Sequence, residues 1–172
     1  GSGVLTIASG FNWTGGTMSG TGKTVLAGTA SMTSAGTRIL DRTLEIAAGA
    51  SLDIADGVNI QRSTSNGGTG GIVALGTLTK SSVTGTGTST LLYLDLQGNI
   101  SSKSGILSIY GNTAGTNLGA ASFSTSGTGT LRLDSGLFTL TDGQTAVVSA
   151  GTLELSGAQL STAGSSTIAG AG

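Results

Sequence analysis

Carboxylates are the side chains of this sequence best suited to catalysis, and two pairs of them lie close together along the chain. Asp53 and Asp56 flank a corner, and Asp134 and Asp142 lie about one strand step apart. A pair of carboxylates in a cleft can hydrolyse a glycosidic bond. No aromatic residue that would hold a sugar ring neighbours either pair, so solvated surface charges are the favoured interpretation.

The residue types or spacings that other catalytic, metal or phosphate sites require are missing from the sequence. The chain contains no histidine and no cysteine, which removes the commonest general base, thiol catalysis, disulfides and zinc–thiolate sites. Asn66–Gly71 has the glycines of a calcium-binding β-roll but no aspartate ligand. Gly20–Thr24 resembles a phosphate loop, yet it lacks the spacing between two glycines and a following helix. We therefore expect no catalytic residue, no metal and no cofactor.

Aromatic and polar side chains remain as candidates for contact with a ligand. Trp13, together with Phe11, could stack on a sugar ring, or it could cover the end of the first coil or pack under a corner, and a structural role is favoured. Tyr93 and Tyr110 alternate with aliphatic residues that point inward, so both are expected to point outward. The residues proposed for ligand contact are Trp13, Arg62, Asn66, Tyr93, Tyr110, Asn112 and Asn117.

Threonine rows suggest a different surface. Thr86, Thr88 and Thr90 alternate along one extended segment, as do Thr128 and Thr130. Regular rows of this kind on a flat β-surface can bind ice, but only where every turn repeats them in phase. Two stretches alone carry them here, so threonine chosen for its β propensity is the favoured explanation.

Short β-strands would position all of these residues. Triplets of apolar, polar and apolar residues recur along the chain, and alternate side chains of a strand point to opposite faces. Each triplet therefore places two aliphatic residues inside and one polar residue outside. The triplets are Leu44–Ile46, Leu52–Ile54, Val58–Ile60, Leu94–Leu96, Leu131–Leu133 and Leu153–Leu155.

Corners that contain glycine separate the strands at a regular step. From Leu131 onward the strands are predicted about every seven residues, and three steps make a coil of about 21–22 residues. We therefore predict an all-β fold, a single-stranded, right-handed parallel β-helix (β-solenoid) of about seven or eight coils. One domain spans 1–172, with a cloning remnant at 1–2. The irregular segments 62–71 and 111–121 are expected to project as loops from one face, often the binding face.

The composition supports a folded chain rather than a flexible linker. Its 172 residues include 32 glycines and no proline, yet 37% are hydrophobic. Only 9% are charged and the formal net charge is -1, so the basic surface that nucleic acid or anionic lipid requires is absent. No apolar run approaches the roughly 18 residues of a membrane helix. We expect neither nucleic-acid binding nor membrane insertion.

Several segments resemble modules of very long bacterial exported repeat proteins. The resemblance rests on residues 11–24 (FNWTGGTMSGTGKT), 41–46 (DRTLEI), 76–81, 85–90, 104–109 (SGILSI), 151–157 and 166–172. In architecture the chain is similar to filamentous-haemagglutinin-type adhesins and autotransporter passenger domains. This resemblance implies an extracellular or cell-surface location and an adhesive or scaffold role, and it carries over no catalytic residue.

These observations together predict a non-enzymatic structural or adhesive segment, a stalk or scaffold, of a secreted or cell-surface bacterial protein. The expected partners are an extracellular glycan or a host or matrix surface, and neighbouring solenoid modules of the same chain. A carbohydrate-binding module is the alternative function, and an ice-binding solenoid is a weaker one.

Overall fold

The computed structural model of the chain describes residues 1–63, 70–82, 84–92, 94–111, 116–118, 122–125, 127–140, 145–148 and 151–170. Within these ranges every regular secondary-structure element is a β-strand. This described part contains no helix long and apolar enough to cross a membrane. The strands are β1 (Val4–Ile7), β2 (Phe11–Asn12), β3 (Gly16–Met18), β4 (Lys23–Leu26), β5 (Thr29–Met32), β6 (Gly36–Leu40), β7 (Thr43–Ile46), β8 (Ser51–Ile54), β9 (Val58–Gln61), β10 (Gly71–Ala74), β11 (Thr77–Lys80), β12 (Thr88–Leu92), β13 (Leu94–Leu96), β14 (Asn99–Ser102), β15 (Ile106–Tyr110), β16 (Thr116–Asn117), β17 (Ser122–Thr125), β18 (Thr130–Leu140), β19 (Thr145–Val148), β20 (Thr152–Thr162) and β21 (Thr167–Gly170).

The strands wind into a three-sided parallel β-solenoid, which confirms the predicted fold class. Successive strands occupy faces A, B and C in turn, and each pairs in parallel with a strand of the same face one turn away. Face A begins with β1, β4, β7, β10 and β13. Face B begins with β2, β5, β8, β11, β14 and β17. Face C comprises β3, β6, β9, β12, β15 and the first halves of β18 and β20.

The solenoid has about six turns, whereas seven or eight were predicted, and the longer strands β18 and β20 continue the stack in the same direction. The second halves of β18 and β20 continue face A, because β18 pairs there with β16, and β16 contacts β13. Similarly, β19 and β21 continue face B, because β17 contacts β19. The sequence predicted separate strands in this region, whereas β18 and β20 each run across the corner between faces C and A.

The length of most turns is close to the predicted period. Thr29 pairs with Ser51, and Thr77 pairs with Asn99, each 22 residues further along the chain. One turn is much longer, since Asn59 pairs with Thr90, 31 residues away. The connections from β9 to β10 and from β11 to β12 supply the extra length, so the strands keep their register while the corners absorb the insertions.

Aliphatic side chains form columns along the axis of the solenoid. Leu131 and Leu133 are buried while Arg132 between them is half-buried on the outside, as predicted. Each inward residue packs against its register partners in adjacent turns, which joins the columns into one core. The same inward and outward pattern is found in Leu44–Ile46, Leu52–Ile54 and Val58–Ile60.

The two remaining triplets differ. Leu96 is buried, but the side chain of Leu94 is outside the described part of the structure. The pattern places Leu155 inside, yet 50% of it is exposed. β20 pairs with β18 on one side, and no described strand lies on its other side. This inward column therefore ends at Leu155 without a covering turn.

Leu133→Asp should lower the free energy of unfolding by about 3 kcal/mol or more, because it buries a carboxylate without a partner. Arg132→Ala should cost less than about 1 kcal/mol, because its ion pair with Glu154 is partly exposed to solvent. Denaturant-induced unfolding of both variants measures the two costs. Equal losses in the two variants would show that the inward and outward assignment is wrong.

Candidate functional site

The edge between faces C and A, here called the C–A edge, carries two of the described residues proposed for ligand contact. Arg62 follows β9 and Tyr110 ends β15, so both lie where the chain leaves face C. The irregular segments 62–71 and 111–121 start from this same edge. The first segment ends at Gly71, which begins β10 of face A, and the second contains the short strand β16 of face A, with Asn117 in it, where no strand was predicted.

Several of the proposed residues cannot be placed. Three of them, Asn66, Tyr93 and Asn112, lie outside the described residues. Most of the Asn66–Gly71 segment lies outside them as well. The backbone of Asn117 is described, but its side chain is not. The described members of the set are therefore Trp13, Arg62 and Tyr110.

Trp13 does not present its ring to solvent. It follows β2 near the edge between faces B and C, and only 6% of it is exposed. Its Nε1 donates a hydrogen bond to the carbonyl of Gly15 at 2.8 Å. Because the ring packs within the hydrophobic core, it is not available to stack on a sugar. Trp13 therefore packs in the first turn of the core.

Arg62 holds the base of the long connection between β9 and β10. Its Nε donates a hydrogen bond to the carbonyl of Gly70, at the other end of that connection. The neighbouring N–H of Ser63 donates to Oδ1 of Asp41 at 2.7 Å, and Asp41 is 7% exposed. The first bond joins the two ends of the connection, and the second ties its start to the turn below. The guanidinium of Arg62 therefore has a structural role in addition to any ligand contact.

A tyrosine and a carboxylate lie side by side further along the C–A edge. Tyr110 pairs in register with Asp134 and is half-buried on the outer surface, as predicted. The negative charge of Asp134 raises the pKa of Tyr110, and burial and a hydrogen bond to Asp134 add to that effect, while the charge of Arg132 opposes it. Ser108 Oγ also donates to Asp134 Oδ2 at 3.3 Å. The carboxylate of Asp134 therefore binds two hydroxyl groups, those of Tyr110 and Ser108.

An ion pair extends this cluster into the next turn. Arg132 Nε lies 2.9 Å from Glu154 Oε2, and the two side chains are 27% and 39% exposed. The outer surface here offers the ring of Tyr110, the guanidinium of Arg132 and two carboxylates within adjacent rows. Groups of these types can hydrogen-bond to a polyhydroxylated ligand and stack on an apolar face of its ring.

A β-bulge lies directly beside this cluster. The register of β18 against β20 shifts between Leu133 and Asp134 and again before Gly136, and Ser135 has a φ of 51°. A non-glycine residue in that conformation costs roughly 1 kcal/mol, and bulges often occur beside functional sites. A surface cavity of about 240 Å³ opens here, lined by Gly136, Leu137, Gly157 and Gln159.

The cavity adjoins the tyrosine and the carboxylate. Gly157, which lines it, is the register partner of Asp134 in the next turn. Its volume is below the roughly 300 Å³ at which small-molecule pockets usually begin. It therefore fits part of a larger ligand, such as one ring of a chain, better than a whole free molecule. No sequence signal pointed to this place, because it depends on the register shift.

The carboxylate pairs considered for catalysis do not converge where they are described. Asp53 lies on the outside of face B, where its Oδ1 accepts from the Ser81 N–H at 3.1 Å and its Oδ2 from Ser81 Oγ at 2.6 Å. Asp56 instead forms an ion pair with Lys80. Asp142 lies outside the described residues. The two aspartates near this corner thus have different partners, Ser81 for Asp53 and Lys80 for Asp56.

Two buried cations were not predicted. Arg38 and Lys80 are both fully buried at inward positions of their strands. The guanidinium of Arg38 donates to the carbonyls of Trp13 and Ser34 at 2.7 Å and to that of Gly36 at 2.8 Å. Burial lowers the pKa of Arg38. This side chain replaces an aliphatic residue by satisfying backbone carbonyls near the edge between faces B and C.

Lys80 lies deeper along the same edge. Its Nζ pairs with the carboxylate of Asp56 and donates to the Ser104 carbonyl at 2.7 Å. Gly85 lies against the carboxylate of Asp56, where a side chain would clash with it, while 31% of the Asp56 side chain stays exposed. We assign the pair to the stability of the fold, since the lysine is wholly enclosed.

Regular rows of small polar side chains do occur, but on a face that the sequence did not single out. The predicted threonine stretches lead instead into strands of face C, which begin at Thr88 and Thr130. On the outside of face B, register partners form two rows, Thr29, Ser51, Thr77 and Asn99 in one and Ser31, Asp53, Thr79 and Ser101 in the other.

Comparison with known proteins adds no assignment. No protein-family model, curated protein or solved structure matches the chain significantly. In the described part of the chain, no group of three or more His, Cys, Asp or Glu side chains is placed to hold a metal ion. The cluster on the C–A edge is therefore interpreted from its own geometry.

Asp56→Asn should lower the free energy of unfolding by about 2–4 kcal/mol, because it leaves the enclosed ammonium of Lys80 without a counter-charge. Adding Lys80→Met should recover most of that loss, since the buried charge is removed as well. Asp53→Asn, on the outside of β8 just before this corner, is the matched control and should cost less than about 1 kcal/mol. A loss in the double variant as large as in Asp56→Asn would contradict the ion pair.

Asp134→Asn should lower the pKa of Tyr110, because it removes the negative charge that opposes phenolate formation. Phenolate absorbance during alkaline titration measures this shift, and a Tyr93→Phe background isolates Tyr110 from the only other tyrosine.

The same shift links stability to pH. The raised pKa belongs to the folded state, so Tyr110 contributes stability below a pH of about 10, the ordinary tyrosine pKa. That contribution is lost as the pH rises through the folded-state pKa. Asp134→Asn should show a smaller loss over this range, and an unchanged titration of Tyr110 would contradict the contact.

Proposed function

We propose that the chain is a non-enzymatic structural and adhesive segment, a stalk or scaffold, of a secreted or cell-surface bacterial protein. The observation that carries this proposal is the stack of parallel turns around an aliphatic core. Such a stack holds its faces and edges in a fixed geometry and displays residues at regular intervals along one axis.

The core supports the scaffold part of the proposal. On face B, Leu52, Leu78 and Ile100 follow one another in consecutive turns, and all three are fully buried. Each turn rests on its two neighbours, so the solenoid resists bending wherever the column is continuous. Insertions at the corners leave the register of the strands unchanged. The solenoid can therefore carry additional segments there for contact with a partner.

The C–A edge supports the adhesive part of the proposal. The Tyr110 and Asp134 cluster and the adjoining cavity offer stacking and hydrogen bonding on a rigid support. The resemblance of residues 11–24 and 151–157 to exported bacterial repeat proteins supports a surface location. An extracellular glycan, or a host or matrix surface, is the partner that this combination favours.

Binding of the purified chain to a glycan array and to immobilised extracellular-matrix proteins tests the proposal. We expect binding to at least one class of probe, weakened at least about tenfold by Tyr110→Ala combined with Asp134→Asn. Thr77→Ala combined with Ser101→Ala, on the outside of face B, is the control and should leave binding unchanged. Absence of binding to every probe would contradict an adhesive role, and equal losses in both double variants would contradict the C–A edge as its location.

A carbohydrate-binding module is the second candidate, and the pairing of Tyr110 with Asp134 beside a small cavity favours it. It predicts binding confined to glycans and displaced by the free sugar. Trp13→Ala is unsuited to this test because Trp13 is buried in the core. Binding only to proteins, or binding that free sugar does not displace, would reject this candidate while leaving the adhesive role intact.

A further inference from the structure

The outside of face B differs from the other two faces because its side chains are nearly uniform. In β5, β8, β11 and β14 the outward residues form one row of Thr29, Ser51, Thr77 and Asn99 and a second row of Ser31, Asp53, Thr79 and Ser101. All of them are exposed or half-buried. Except for Asp53, each is small, uncharged and able both to donate and to accept hydrogen bonds. These two rows are called the face B rows.

The outward rows of faces A and C mix different kinds of side chain. On face A, Val25, Glu45 and Val73 follow one another in register. On face C, Ser108 pairs with Arg132. A surface that only has to remain solvated tolerates such mixtures, as these two faces show. The repetition of one kind of side chain on face B therefore indicates a ligand that is itself periodic.

The face B rows lie on a rigid support in the middle of the solenoid. The inward residues between the two rows belong to the core and are at most 2% exposed; they are Ala30, Leu52, Leu78 and Ile100. The four strands pair in continuous register, whereas β18 and β20 contain register shifts. Ser101 Oγ lies 3.5 Å from Thr79 Oγ1. Neighbouring hydroxyl groups of a row are therefore aligned along the axis.

The spacing along the face B rows is close to a spacing between water molecules in ice. Adjacent strands of a sheet lie about 4.8 Å apart. Two water molecules that hydrogen-bond to the same third molecule at about 2.75 Å, with tetrahedral geometry, lie about 4.5 Å apart. Over four strands the difference adds up to only about 1 Å. Water bound to successive side chains of a row can therefore belong to one ice lattice.

The face B rows lack the groups that other flat ligands require. Sugar rings of a crystalline polysaccharide are bound by stacking on aromatic side chains, and the face B rows contain none. A charged surface would require many charges of the opposite sign, but Asp53 is the single charged residue of the rows. Its Oδ2 already accepts from Ser81 Oγ at 2.6 Å. Frozen water is the ligand that repeated hydroxyl groups without rings or charges fit best.

We infer that the face B rows bind ice. The threonine stretches identified in the sequence do not repeat in phase in every turn, whereas the face B rows do so in four consecutive turns. This inference goes beyond the adhesive role. It uses a different surface from the C–A edge and does not depend on it.

Growth of a single ice crystal in a solution of the purified chain tests the inference. We expect the crystal to develop facets and to freeze at a lower temperature than it melts, because bound protein hinders the addition of water. The gap between the two temperatures should widen as the protein concentration rises. A crystal that grows as in buffer at every concentration would overturn the inference, and so would binding to crystalline cellulose without an effect on ice.

Two matched variants locate the contact. Thr77→Tyr places a ring in the middle of the face B rows and should abolish the gap, because the ring holds ice away from the hydroxyl groups. Thr37→Tyr is the control at an exposed outward position of face C and should retain the full gap. Tyrosine suits a β-strand, so thermal melting followed by circular dichroism should show that both variants fold. Loss of the gap in both, or in neither, would contradict face B as the ice-binding surface.

Two further variants test the role of regularity and the independence from adhesion. Asp53→Thr makes the second row uniform and should widen the gap, because a carboxylate cannot donate a hydrogen bond to water. A gap that stays equal or narrows in this variant, when it is folded, would count against the regular rows as the contact. Tyr110→Ala combined with Asp134→Asn should leave the gap unchanged. A gap lost in that double variant would instead place the effect at the C–A edge and refute the inference.

Discussion

Every side chain that points into this solenoid must fit between the side chains at the same position one turn above and one turn below. Parallel strands lie about 4.8 Å apart, so an inward residue contacts its register partners directly. Apolar surface buried in this way contributes about 25 cal/mol per Å². Each turn depends on its neighbours for this burial, which explains why Leu155 and Ile168 remain half exposed at an end.

The need to pack against the turns above and below applies to the strands but not to the corners. The distribution of polar side chains follows from that difference. The connection from β9 to β10 adds residues without disturbing the pairing of Asn59 with Thr90. Ser135 takes up a positive φ at the corner within β18, where no column has to be maintained. The C–A edge can therefore gather Arg62, Tyr110 and Asp134, whereas the outside of face B repeats small polar residues.

The sequence predicted the fold because alternation of period two is local, and Leu131-Arg132-Leu133 shows the expected burial. Lys80 is in phase with Leu78, so its inward position was visible in the same pattern. A charge in a core is unfavourable without partners, and the partner Asp56 is identified only when the turns are stacked. The contact of Tyr110 with Asp134 likewise depends on turn lengths, and the cavity depends on a register shift, so neither followed from spacing alone.

Residues one turn apart should be neighbours in space although they are distant in sequence. Because the chain has no native cysteine, a nitroxide attached to Ser51→Cys probes this directly through the broadening of amide resonances. Outside the local segment, broadening should be strongest at Thr29 and Thr77, the register partners in the turns on either side, and weaker at Asn99 one turn further. Broadening confined to sequence neighbours, or mirrored about a corner as in a hairpin, would contradict the stacked parallel turns.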